Sequence, residues 1–441
     1  MRAVLFLLLL HIAISCPAQQ TGPTPAPVIT EAPTGFDGRS NGLVEDATHQ
    51  DDLAKFDEFE TVKDGLGPLY NAQSCRECHQ NPQSGGGSQI TELRVGHAAA
   101  DGSFQNPSIP IGDGAEVVSG RSLVNDRAVC PSKDYPNGEI QERAPQTETI
   151  RTQRLSLSLL GDGFVEAVAD QTLVDLALRQ CILTAGKICG QAVSVPIVEA
   201  PGATRIGRFG WKDQHGSLLS FSGDAYLNEM GITTRLFPTE VTNLCNTVPS
   251  PNDPPDGDGL DDVDRFARFI RATTAPAPDA ILSATAQAQR GAVVFSQIGC
   301  SVCHVSALVT APAGSTINGG TFTIPPALGS KRFHPYGDFL MHDIGTGDGV
   351  LVLVQEHFGR AAPQLMAQGV GPTLTRSVQN KIRTAPLWGV RFRSRLMHDG
   401  ASYTFPDAIL RHGGEASTAA QRFFLLPPAD QDAVLAFLRS L

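Results

Sequence analysis

Gly299-Cys300-Ser301-Val302-Cys303-His304 closes a run, Gln287 to Gln297, that carries Gly291 and Phe295 at helical spacing. A second copy of the same Cys-x-x-Cys-His spacing, Cys75-Arg76-Glu77-Cys78-His79, stands in the N-terminal part of the chain. Two cysteines three apart on one turn of backbone can each form a thioether with a vinyl group of haem, and the histidine that follows can reach the iron. Zinc is the competing reading. It needs four ligands at close range, and each cluster offers three, with no second Cys-x-x-Cys beside it. The expectation is therefore two covalently bound haem c groups. Cys75, Cys78, Cys300 and Cys303 are the attachment residues, and His79 and His304 the proximal iron ligands.

Working outward, a helix running into Cys-x-x-Cys-His is how a cytochrome c domain presents its haem. Asp430 to Leu441 sets Val434, Leu435, Leu438 and Leu441 at helical spacing. Such a terminal helix packed on the helix before the motif would close the domain. Asp262 to Ala272 places Val263, Phe266, Phe269 and Ile270 on one helical face. Strand signals are few: Gly319 to Ile324 and Leu351 to Val354. The fold class expected is mainly α, two cytochrome c-like haem lobes with long loops and a few short strands.

The chain has 441 residues and 41% hydrophobic content, enough for globular cores, and its 44 glycines and 31 prolines predict long loops. A net charge of −11 makes nucleic acid a poor partner. Arg2 followed by the apolar run Val4 to Leu10 reads as an export signal, too short to span a bilayer. Ala13-Ile14-Ser15-Cys16 offers a lipobox, with cleavage after Ala18 as the alternative. The expected organisation is a signal peptide over 1–16, a Pro/Thr-rich tether over 17–35, a first haem lobe over 36–249, a hinge over 250–261 and a second, cytochrome c-like domain over 262–441. With four cysteines used for haem and Cys16 for lipid, Cys130, Cys181, Cys189 and Cys245 remain of nine. In an oxidising compartment they can form two disulfides in any of three pairings. Periplasmic localisation follows, with an outer-membrane lipid anchor if Cys16 is acylated.

Several phrases together resemble a known family. Gly65-Leu66-Gly67-Pro68-Leu69-Tyr70-Asn71 leads to the first motif; Arg208-Phe209-Gly210-Trp211-Lys212 and Met230-Gly231-Ile232-Thr233 follow. Then come Pro335-Tyr336-Gly337-Asp338, Arg383-Thr384-Ala385-Pro386-Leu387-Trp388-Gly389, His398-Asp399-Gly400 and His412-Gly413-Gly414-Glu415. Over nearly all of Phe36 to Leu441 the chain resembles bacterial di-haem oxidoreductases described as putative peroxidases and also labelled predicted thiol oxidoreductases. They are related to bacterial di-haem cytochrome c peroxidases.

The resemblance implies an oxidoreductase in which a six-coordinate haem passes electrons to a peroxide-binding haem. The relatives place a sixth ligand to the C-terminal haem fourteen residues after the histidine of a His-x-Gly turn; from His398 that position is His412. Thr404, Pro406 and Asp407 form a helix start ahead of it, and Gly413 a stop. Near the relatives' displaceable histidine lies His97, which either caps the first iron or sits in a loop. Counting forward from Asn125-Asp126-Arg127 points to Gln141 or Glu142 as the distal acid–base group. Trp388 or Trp211 would be the electron relay between haems, or a core indole. His342, inside a family phrase, is the next histidine of interest. Arg393 and Arg395 occupy the relatives' calcium-binding Thr-x-Pro positions, which argues against a calcium site. No cysteine outside the haem motifs sits in a Cys-x-x-Cys pair, so the thiol label lacks residue support. The implied partners are a small redox protein or quinone-linked electron donor, and a small oxidant such as hydrogen peroxide. A non-enzymatic di-haem electron carrier, or redox accessory protein, is the alternative.

Overall fold

In a computed structural model, residues 28–130, 140–351 and 378–441 are described. The signal peptide, Cys16, most of the tether, His357 and most of Leu351 to Val354 lie outside them. Eleven α-helices occur among the described residues: α1 Asp46–Asp57, α2 Cys75–Cys78, α3 Asp162–Glu166, α4 Asp170–Leu183, α5 Leu218–Met230, α6 Asp262–Ala272, α7 Ala280–Ser283, α8 Ala286–Ile298, α9 Phe405–Leu410, α10 Ser417–Phe424 and α11 Pro428–Ser440.

The expectation of a mainly α fold is corrected. Helix accounts for 32% and strand for 16%, with short strands spread over seven two- and three-stranded sheets among the described residues. Most strands are two to four residues long, below the length at which alternation can be read. The longest, Thr91–Ala98, pairs antiparallel with Ile150–Leu155, from Thr91 opposite Leu155 to Gly96 opposite Ile150.

The two helix pairs that matter for the site follow from sequence. Gly291 of α8 lies against α11, where a Cβ would meet the Ala433 carbonyl oxygen at 1.9 Å. Val294, Phe295 and Ile298 of α8 share one apolar cluster with Val434, Phe437 and Leu438 of α11. The terminal helix thus packs on the helix before the motif, as expected. In the N-terminal half the corresponding pair is α1 with α6. Asp261 caps α6 in a reciprocal capping box with Asp264. Its apolar face joins Phe56 of α1 and Tyr226 and Met230 of α5 in the main core. The helix that follows the hinge therefore serves the N-terminal half. The hinge itself is only partly solvated. Asn252 and Asp253 are buried, with Asn252 Oδ1 accepting from Thr233 N and Oγ1 and Asp253 Oδ1 from Asp262 N.

Of the three disulfide pairings, the fold selects Cys130–Cys245 and Cys181–Cys189. Cys75, Cys78, Cys300 and Cys303 stay unpaired. No described helix is long and apolar enough to cross a membrane.

Candidate functional site

The two motifs open onto two clefts. In the second, Gly299 takes φ 105°, a left-handed cap that ends α8 and turns the chain into the Cys300–Val302 turn. His304 follows, and its Nδ1 donates to the Tyr336 carbonyl at 2.9 Å. Across the cleft, Thr404 caps α9 by accepting from Asp407 N. Arg411 at the helix end forks onto both oxygens of Asp399, at 3.0 and 2.5 Å. That clamp fixes α9 against the His398-Asp399-Gly400 turn. His412 comes next, its Nδ1 donating to the Ala408 carbonyl at 2.7 Å. Both imidazoles are thus tied down through Nδ1, which leaves Nε2 as the ligand atom. Burial pushes His304 down to about 4 and also lowers His412, so both rings are neutral and their lone pairs available at neutral pH.

The centroids of these two rings lie 6.5 Å apart. Two imidazoles that hold one metal ion between them, each at about 2 Å from a ring nitrogen, are separated by about that much. The cleft between them takes in about 1300 Å³, open solvent included. Its walls are apolar, among them Phe295, Leu387, Phe405, Phe423 and Leu438. Its lining is also cationic in part. Arg383 and Arg393 both line it, and burial together with Arg383 holds Arg393 down to about 10. His398 lines it too, with a buried Nδ1 that has no hydrogen-bond partner. Arg383 also faces Asp213 at 3.7 Å and both guanidiniums face Asp162, so the cationic lining is partly balanced from within the chain, and the acid groups of a haem would add to its partners. The donor set, the apolar walls and the cations fit haem.

His342 also lines this cleft, between Asp338 on Nε2 at 3.0 Å and Glu415 on Nδ1 at 2.8 Å. Burial opposes its charge, but the two carboxylates carry it up to about 12. Ligand atoms of Cys303, Asp338 and His342 lie within 4.8 Å of one another. Both His342 nitrogens are already committed to carboxylates, so this is an ion-paired support beside Cys303.

In the first cleft, Ser74 caps α2 by accepting from Arg76 N. His79 Nδ1 donates to the Gly86 carbonyl at 3.1 Å, with the Leu157 carbonyl also facing the ring. Phe56, Leu159, Phe266, Ile270 and Met230 line the space, together with Tyr226 and Glu229. Among the described residues no second histidine lines it. Burial pushes the thiols of Cys78 and Cys300 up to about 12 and raises Cys75 and Cys303. Thiols held protonated make poor redox nucleophiles.

The other residues singled out from sequence lie elsewhere. His97 is on the strand Thr91–Ala98 and donates to Glu148 at 2.7 Å. Glu142 is buried against Arg121 at 3.0 Å and accepts from Asn125 N. Neither these nor Gln141 line either cleft. Trp388 is buried in the main core against Phe333, with Nε1 unpartnered. Trp211 lines the second cleft beside His398 and donates to the Leu155 carbonyl at 2.7 Å. Leu155 N in turn donates to the His398 carbonyl at 2.7 Å. Four residues on, Leu159 lines the first cleft, so one short segment touches both. Glu229 was not singled out; its only signal is adjacency to the phrase starting at Met230.

A family model described as "Di-haem oxidoreductase, putative peroxidase" matches residues 130–441. The match includes Cys300 to His304 and His412 and begins after Cys75 to His79. No curated protein matches the chain. Among solved structures, a Kuenenia stuttgartiensis hydrazine synthase pressurized with 20 bar xenon aligns with 98% of this chain and 100% of its own. Identity is 13% and the TM-score 0.38, too low to carry an argument.

Proposed function

Since this chain belongs to the di-haem oxidoreductase family described as putative peroxidases, we propose that it is a periplasmic c-type member that reduces hydrogen peroxide. Cys75, Cys78 and His79 would hold one haem, and Cys300, Cys303, His304 and His412 the other. When bound, the haems supply one-electron storage and, at an iron with an open face, reduction of an oxidant.

The observation that carries this reading is the asymmetry of the clefts. Two imidazoles face each other in the second, and among the described residues a single histidine serves the first. A site closed on both sides suits electron entry, and a site closed on one side suits binding of an oxidant. Arg383, Arg393 and His398 would hold the acid groups of the second haem. The segment from Leu155 to Leu159, with Trp211 on its carbonyl, offers the short covalent and hydrogen-bonded link between clefts. The walls of both clefts are mostly apolar. An export signal at Arg2 to Leu10 would bring the protein to where a small redox protein or quinone-linked donor can supply electrons, with lipid anchoring if Cys16 is acylated.

The runner-up is a permanent electron carrier, favoured by Met230, which lines the first cleft; its thioether as a ligand would make that iron six-coordinate. Absorption and EPR spectra before and after one electron separate the two. The peroxidase reading expects one unchanging low-spin centre and one that turns high-spin and takes cyanide on half-reduction. Two low-spin centres that bind neither cyanide nor peroxide in any state contradict it.

A further inference from the structure

His304 and His412 face each other across the second cleft, yet they come from segments far apart in the chain. One buried side chain stands between the supports of both. His342 lies on the strand Met341–His342, paired antiparallel with Ile382–Arg383, and its side chain is 1% exposed.

On the motif side, His342 Nε2 donates to Asp338 Oδ2 at 3.0 Å. Gln180 Nε2 donates to the same oxygen at 2.5 Å and to the Val302 carbonyl, inside the motif turn, at 2.8 Å. Asp338 follows Tyr336 by two residues, and Tyr336 supplies the carbonyl that takes His304 Nδ1. On the other side, His342 Nδ1 donates to Glu415 Oε2 at 2.8 Å. Glu415 follows His412 by three residues. Cys189 N donates to that same carboxylate oxygen at 3.1 Å, so the loop closed by Cys181–Cys189 helps hold Glu415 in place. The backbone repeats the tie. Gly413 N donates to the Ile344 carbonyl and Glu415 N to the Asp343 carbonyl, each at 2.8 Å. At Gly414, a Cβ would meet the Asp343 oxygen at 2.3 Å, so these two segments touch main chain to main chain.

We propose that His342 is the positioning residue of the second iron site: a rigid ring that sets the span between the motif turn and the His412 segment, so that His304 and His412 reach one iron. This rests on the reading of those two histidines as a ligand pair. Outer partners of metal ligands typically carry 10–100-fold in ligand affinity. The effect is one-sided. Tyr336 holds His304 by its backbone carbonyl without His342, whereas Glu415 joins the His412 segment to the rest of the network through the imidazole. Loss of His342 therefore loosens His412 and leaves His304 in place.

The test uses the full-length protein with both haems attached. Cyanide is titrated into the ferric protein while EPR follows the low-spin signal of the second haem, which is identified by its shift in His412→Met. In His342→Gln the amide donors share one nitrogen and cannot reproduce the span of the ring. Cyanide should convert the second haem at a concentration about 10–100-fold lower than in wild type, with haem content unchanged. Glu415→Ala cuts only the tie to the His412 segment and should act in the same direction. Its side chain is 17% exposed, and this variant decides should His342→Gln not fold. If both variants need as much cyanide as wild type, even with a lowered denaturation midpoint, the strut is wrong and the ligand pair stands. If His412→Met leaves the spectrum unchanged, the ligand pair falls and the strut with it.

Discussion

His304 and His412 are set by local chemistry that a sequence can display. Each sits beside a helix stop or start, and each has its Nδ1 tied to a backbone carbonyl. Replacing His412 with Met exchanges a nitrogen for a thioether sulfur. The second haem's reduction potential should then rise and its low-spin ferric spectrum shift; an unchanged spectrum and potential would rule His412 out as a ligand. Asp162 gives a second residue-level expectation. Burial pushes it up to about 7, with Arg383 opposing, so the folded state holds its proton more tightly than the unfolded chain. Its stabilising contribution is complete below about pH 4 and is lost as pH climbs through about 7. Asp162→Asn should flatten that part of the stability profile, removing a pH-dependent loss on the order of 2–4 kcal/mol in urea titrations. An unaltered slope would mean Asp162 is ionised in the fold. At this scale the motif residues were legible because thioether chemistry demands contiguous spacing. Glu229 was not, because a lone glutamate on a helix carries no local mark of the cleft it faces.

Among the elements, α8 and α11 were legible from periodicity and Gly291 from its place in the pattern. The reason for that glycine appears only in the packing, where the Ala433 carbonyl occupies the space of a side chain. Gly291→Val should lower the denaturation midpoint by an amount equivalent to about 1–3 kcal/mol and loosen the second cleft. Wild-type stability in that variant would show that the helices do not cross so closely. The apolar face of α6 was equally visible, but its partners α1 and α5 come from before the hinge, and a face does not name its partner. Strands of two residues have no period to read, so the sheet content was missed. His97, Gln141 and Glu142 were placed by counting from a resemblance, and loop lengths between the motif and α3 defeat counting.

For the molecule as a whole, one disulfide ties distant parts of the N-terminal half together and the other closes a local loop. Cys130–Cys245 closes a span of 115 residues, and Cys181–Cys189 a span of eight. In the chain-entropy view the long loop is worth about 5 kcal/mol and the short one about 2.5. Replacing both members of each pair with Ser should therefore destabilise more for Cys130–Cys245, measured by chemical denaturation; the reverse order would place the constraint elsewhere. The central claim is that iron porphyrin is fixed to this chain at two places, each through its own cysteine pair. The direct measurement is the intact mass of the protein, produced in a host that attaches haem c, after denaturation, alongside variants in which Cys75 and Cys78, or Cys300 and Cys303, are replaced by Ala. Two haem masses in the wild type and one in each variant are expected. A colourless polypeptide at its bare mass, or a wild type carrying only one haem, contradicts the account.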